Sequence, residues 1–145
     1  VIELERGDTL VALDSLEKAL DIAERYRRGI LLNDVLINLV RVELALAKAS
    51  GESSSRFVPG RWLSKLVNYA RDNDLPGIKM YAALLKSEFY LIHGQTQDAH
   101  ETLVTALTIS DSLGVKTLRK MINDRIREVN QLLREEAVSS KRRRE

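Results

Sequence analysis

The 145-residue sequence contains no cysteine, which excludes disulfides and thiolate metal sites and fits a reducing, cytoplasmic compartment. It has two prolines, Pro59 and Pro76, and neither interrupts a helical pattern. Aromatic residues make up only 5% of the chain, so aliphatic and small side chains must do the packing, as in close helix–helix contacts. No apolar run approaches the ~18–20 residues needed to cross a bilayer. The opening Val1–Arg6 does not have the pattern of a signal peptide. No segment alternates apolar and polar residues with a sustained period of two, which argues against a sheet. Neither charge dominates: 23 basic residues face 21 acidic ones, and a net charge of +2 makes no electrostatic case for nucleic acid.

Catalytic patterns are also missing. Gly51-Glu-Ser-Ser-Ser-Arg56 lacks the Gly-Lys pair of a phosphate-cradling loop. Ser53–Ser55 have no histidine nearby in sequence. The two histidines, His93 and His100, flank a turn and would need a third ligand such as Asp98 or Glu101 to hold a metal. The carboxylates form no pair to which an acid and a base role can be assigned. The expectation is a non-enzyme without metal or cofactor.

What is present is helical periodicity. The spacing predicts a first helix from about Asp8, with Leu13, Leu16, Leu20 and Ala23 on one stripe and an end at Gly29. A second runs about Leu31–Ser50, with Val35, Leu39, Val42 and Leu46 on a face widened by Leu32, Leu36, Val40 and Leu44. A third covers about Pro59 or Gly60 to Asn73 and buries Trp62, Leu63, Leu66 and Ala70. A fourth runs about Gly77–His93 with Met80, Leu84, Phe89 and Leu91. A fifth runs Thr96–Leu113. A sixth starts near Val115 and keeps Leu118, Ile122, Ile126, Val129 and Leu132 or Leu133 in step. Six glycines, at 7, 29, 51, 77, 94 and 114, fall between these segments, where a helix C-cap accepts positive φ. The basic tail 139–145 has no apolar anchor and is expected to be disordered, leaving 1–138 as one domain.

Two segments share one spacing. Gly94, Ala99, Leu103, Ala106 and Leu107 repeat the pattern of Gly7, Ala12, Leu16, Ala19 and Leu20. With Gly51 between them, the turn glycines recur roughly every 43–44 residues, in the range of helical-hairpin arrays. The signature resembles the second helix of a tetratricopeptide repeat (TPR), with Tyr90 and Ser87 standing where that family has an aromatic and a small residue before the turn. The longer unit, with Ala19-Leu20-x-x-Ala23 and Leu44-Ala45-x-Ala47-x-x-x-Gly51, is similar to the divergent repeats in the sensor region of MalT-type (LuxR-family) transcription regulators. The resemblance implies an all-α fold, an α-solenoid of stacked antiparallel helical hairpins, cut from a longer chain. Val1–Arg6 would be the remnant of an inner helix, and the exposed solenoid end near Val1, Ile2 and Leu4 would favour self-association.

By the family's offsets from Gly94 and Gly51, a concave groove would be lined by Asn38, Arg41, Ala45 and Lys48 on the second helix and by Tyr81, Leu84, Glu88, Leu91 and Ile92 on the fourth. Arg41 and Lys48 would meet an acidic partner; Tyr81 and Glu88 would supply hydrogen bonds. Trp62 is read either as an exposed anchor or as packing for the inserted loop near Phe57. The Lys141–Arg144 run is read either as a nucleic-acid or import patch or as a solvated end. Two functions follow: a protein or peptide scaffold with an open groove, part of a larger signalling or regulatory protein, or the ligand-sensing domain of a MalT-type ATP-dependent activator, with an enclosed apolar pocket.

Overall fold

The computed structural model describes residues 2–25, 29–50 and 60–144, with side chains for 10–25, 32–49 and 60–143. Among these residues there are six α-helices and no strand: α1 (Ile2–Arg25), α2 (Gly29–Ser50), α3 (Arg61–Asp72), α4 (Pro76–Ile92), α5 (Thr96–Leu113) and α6 (Lys116–Arg144). Each packs against the next in the chain, and α2 also packs against α4. No helix among the described residues is long and apolar enough to cross a membrane.

The apolar stripes become two cores. One joins α1, α2, α3 and α4 around Leu20, Leu36, Leu39, Leu63, Leu66 and Phe89. The other joins α4, α5 and α6 around Met80, Leu84, Leu103, Ala106, Ile122 and Val129. All four residues expected in the core from α3 are buried. On α6 the stripe is Leu118, Ile122, Ile126, Val129 and Leu133, whereas Leu132 is exposed. Ala99 and Ala106 are fully buried. Ser87 and Ser110 are buried too, each donating its hydroxyl to a carbonyl of its own helix, Leu84 O at 2.6 Å and Leu107 O at 2.9 Å. Buried small residues on consecutive helices let the backbones approach closely, and the serines do so without leaving an unpaired polar group.

The three described turns share one geometry. Leu75 N–H donates to Ala70 O, Gln95 N–H to Tyr90 O and Val115 N–H to Ser110 O, at 2.9, 2.8 and 3.4 Å. This is the Schellman closure, which needs a left-handed residue just past the helix. Gly94 (φ 71°) and Gly114 (φ 70°) supply it in two turns. Asp74 (φ 48°) supplies it in the third, and its carboxylate accepts from Lys79 Nζ at 2.8 Å. The left-handed residues therefore fall at 74, 94 and 114, one helix and one turn apart each time.

Several expectations are corrected here. There is no turn at Gly7: α1 runs from Ile2 through it to Arg25. Ile2–Arg6 are therefore no separate inner-helix remnant but part of α1. A glycine inside a helix costs about 1 kcal/mol relative to alanine, which good helix formers on both sides absorb. The two copies of the Gly-Ala-Leu-Ala-Leu spacing accordingly differ: Ala99 is buried, but its counterpart Ala12 is exposed. Gly77 is not a C-cap but lies in the first turn of α4, behind Pro76. Gly29 opens α2 rather than closing α1. The stretch 139–144, expected to be disordered, continues α6. No glycine or proline follows Gly114 to stop the helix, and its basic end suits the C-terminal dipole. From Arg134 to Arg143 every residue of it is exposed. The loop from Gly51, Phe57, and the side chains of Val1, Ile2 and Leu4 lie outside the described residues.

Candidate functional site

α4 positions the site. Its only charged residues are Lys79, Lys86 and Glu88. Lys79, Ala82, Ala83 and Lys86 recur at three- and four-residue steps, so they share one face. That face is the floor of a surface groove of about 500 Å³. α3 builds one wall with Val67, Ala70 and Arg71. α5 builds the other with Glu101, Thr102, Thr105 and Ile109. The groove exists because α3 and α5 both flank α4 without packing against each other.

The floor is low because Ala82 and Ala83 on it, and Ala70 at the foot of the α3 wall, are small. The threonine hydroxyls of the wall are satisfied within α5: Thr102 donates to Asp98 O at 2.7 Å and Thr105 to Glu101 O at 3.1 Å. Three cations rim the groove against one carboxylate, Glu101. Arg71 pairs with Asp72 at 3.2 Å and Lys79 with Asp74 at 2.8 Å, both at exposed positions. The Lys79 ammonium, by its hydrogen bond and its charge, holds the Asp74 carboxyl below its ordinary value. Lys86 has no carboxylate partner among the described residues; its ammonium lies 5.7 Å from the centre of the Tyr90 ring.

The residues expected from sequence to line one groove fall in separate places. Asn38, Arg41 and Lys48 are exposed on α2, and Asn38, Arg41 and Ala45 border a second, more open groove closed by Ala12, Ser15 and Leu16 of α1. Tyr81 is exposed and Glu88 half-buried on the side of α4 opposite Lys79 and Lys86. Glu88 accepts from Arg125 of α6, so it is committed to an intramolecular pair. Leu91 and Ile92 are half-buried. Leu84 is 6% exposed in the α4–α5–α6 core, which corrects its placement in a groove: the core shared with α5 and α6 closes that side of α4. Trp62 is 6% exposed and packs in the first core, with the Arg61 guanidinium 4.6 Å and the Lys65 ammonium 5.9 Å from the ring centre. It is packing, not an exposed anchor.

One carboxylate shapes the groove from behind. Glu43 of α2 accepts the Leu63 N–H at 3.0 Å and also takes the Trp62 N–H. α3 begins after Gly60, which has no side chain to cap it, so Glu43 caps the helix across the tertiary contact. Burial raises the Glu43 pKa above its ordinary value, and the two backbone hydrogen bonds lower it by less. A methyl group on Gly60 would overlap the Glu43 carboxylate, so glycine leaves the room this cap needs.

Among the described residues, no three His, Asp or Glu side chains stand close enough to hold a metal ion. Sequence reasoning missed the groove over α4, although one signal was present: two lysines seven residues apart on one face of a mostly apolar helix. Fold and site together define an all-α protein with an open groove across three successive helices. Compared with protein-family models, curated proteins and solved structures, the chain matches none of them.

Proposed function

We propose that this chain is a non-catalytic protein–protein interaction scaffold, a TPR-like α-solenoid segment of a larger cytoplasmic signalling or regulatory protein. The observation that carries the proposal is the groove floored by α4 and walled by α3 and α5. Three helices consecutive in sequence contribute a continuous, mostly apolar strip with charges on its rim. Such a strip suits an extended or helical segment of another protein. The packing of each helix against its chain neighbours, and the same Schellman closure at three turns, support the solenoid reading.

The ligand-sensing alternative, the sensor domain of a MalT-type activator, calls for an enclosed apolar pocket with a few convergent polar groups. The groove is open along the surface, and its threonine hydroxyls are already paired, which favours the scaffold. Photo-crosslinking from position Thr105, compared with an exposed position on α6, tests the proposal. A scaffold gives a discrete protein adduct from Thr105 that Thr105→Trp abolishes when the crosslinker is moved to Val67. Retention of all adducts by Thr105→Trp, with loss in an Arg41→Glu, Tyr81→Ala double variant, would move the partner to the α2 and α4 face expected from sequence. Absence of any protein adduct, together with a rise in melting temperature on adding small metabolites, would replace the scaffold by the sensor.

A further inference from the structure

The lysines of α4 specify what the groove takes. Lys79 and Lys86 lie seven residues apart on the face that forms the floor, so their side chains leave one side of α4 about 10.5 Å apart along its axis. Between them the floor is Ala82 and Ala83, flanked by the buried Ala70 of α3. Such a floor has no bulky side chain to hold an incoming helix away, so helix axes can approach to the short end of the usual 8–10 Å. Among the described residues, Lys86 is the groove cation without a carboxylate. Lys79 is shared with Asp74, whose side chain is 88% exposed, and an ion pair that exposed is weak enough to give way to another carboxylate.

We propose that the groove between α3 and α5 docks an acidic amphipathic α-helix of a partner protein. It lays a stripe of small and aliphatic residues on Ala70, Ala82 and Ala83. It sets two carboxylates, seven residues apart in its own sequence, against Lys79 and Lys86. The matching follows from the common helical rise: a helix lying lengthwise over α4 repeats its side chains at the spacing of the lysines. The α5 wall carries Glu101, so the polar edge of the incoming helix that faces α5 is neutral or basic and the edge that faces the lysines is acidic. This fixes the helix's rotation about its own axis. The inference rests on the interaction-scaffold reading and adds to it the chemistry of the partner.

The test uses the whole chain and three synthetic helical peptides of roughly five turns. All carry the same Ala/Leu stripe, and the two flanking positions seven residues apart are Glu, Gln or Lys. Binding is read by fluorescence anisotropy at low and at physiological salt, and located by amide chemical-shift changes. The expected result is saturable binding of the Glu peptide at least about tenfold tighter than the Gln peptide, with the difference shrinking as salt rises. Shifts should concentrate in Val67–Arg71, Lys79–Lys86 and Thr102–Ile109. The Lys79→Glu, Lys86→Glu double variant should reverse the order, taking the Lys peptide over the Glu peptide, while circular dichroism shows it still folded. A single Lys86→Gln variant gives a milder loss and guards against misfolding of the double one. Equal affinity for the Glu and Gln peptides would overturn the proposal, as would an unchanged order in the double variant. Shifts confined to Asn38, Arg41 and Ala12–Leu16 would also overturn it, yet would leave a peptide-binding scaffold intact. If no peptide binds, the acidic-helix proposal fails alone; the scaffold reading then stands or falls on the crosslinking from Thr105.

Discussion

Removing the Glu43 carboxylate tests how α3, and with it one wall of the groove, is held. α3 has 12 residues and begins at a glycine that contributes no cap. Its first N–H groups are served from α2 by Glu43. Glu43→Ala leaves two of those donors without their acceptor, and loss of an N-cap acceptor costs about 0.5–2 kcal/mol. Glu43→Gln keeps a carbonyl acceptor of the same shape and removes the charge. It loses the attraction to the helix dipole, about 0.3–1 kcal/mol, and escapes the desolvation that raises the carboxyl pKa. The two changes oppose each other, so Glu43→Gln should lie much closer to wild type than Glu43→Ala in urea unfolding at neutral pH. The pH dependence separates the effects. A carboxyl whose folded pKa is raised contributes stability that is fully present below the unfolded value, about 4.3, and lost as pH rises through the folded value. Wild type should therefore gain stability relative to Glu43→Gln as pH falls through that window. If wild type loses ground instead, the backbone hydrogen bonds outweigh burial and the account of this carboxylate is wrong. Gly60→Ala offers a second route to the same contact. Its methyl displaces the carboxylate, so its cost should overlap with that of Glu43→Ala and the double variant should fall short of the sum.

Ala106 is fully buried between helices, and Ala106→Leu should overpack the contact at a cost of about 1–3 kcal/mol; an unchanged melting temperature would show that this face is not a close contact. At the left-handed turn positions, Gly94→Ala should destabilise by about 1–2 kcal/mol, read as a lower urea midpoint at constant slope. Asp74→Gly should relieve the same strain while forfeiting the exposed pair with Lys79, so a net stabilisation is expected; a net loss would mean that the Lys79 contact matters more than the backbone. Glu88 and Arg125 join α4 to α6 at partly buried positions, and a double-mutant cycle to alanine should return a coupling of about 0.5–1 kcal/mol or slightly more, whereas zero coupling would make the pair incidental.

The sequence was most legible where periodicity is strict. The four buried residues of α3 and both ends of α5 follow from apolar spacing and flanking turn residues. The α6 stripe was legible up to the choice between Leu132 and Leu133, which the helix phase decides only once Leu118 and Ile126 are seen packed. Glycine was less informative. Gly94 and Gly114 adopt positive φ, but Gly7 is helical, and the α3–α4 turn takes its left-handed residue from Asp74. A glycine permits a turn without compelling one, and aspartate tolerates the same conformation. The groove was least legible. Lys79 and Lys86 can be placed on one face from sequence, but that this face is open depends on α3 and α5 failing to meet over it. Leu84 shows the converse, because an offset borrowed from a repeat family could not foresee that the core with α5 and α6 would enclose it.

α4 is a party wall. Ala82, Leu85 and Phe89 belong to the core on one side of it, Met80 and Leu84 to the core on the other. Opening the α6 end strips α4 of one neighbour while the other still holds it, and opening the α1 end does the same in reverse. Local unfolding is then graded outward from the middle of the chain, with amide protons exchanging slowest along Met80–Phe89 and progressively faster towards α1 and α6. A partner lying over α4 and gripping α3 and α5 would span that wall, so fluctuations on its two sides, otherwise separate, would become one.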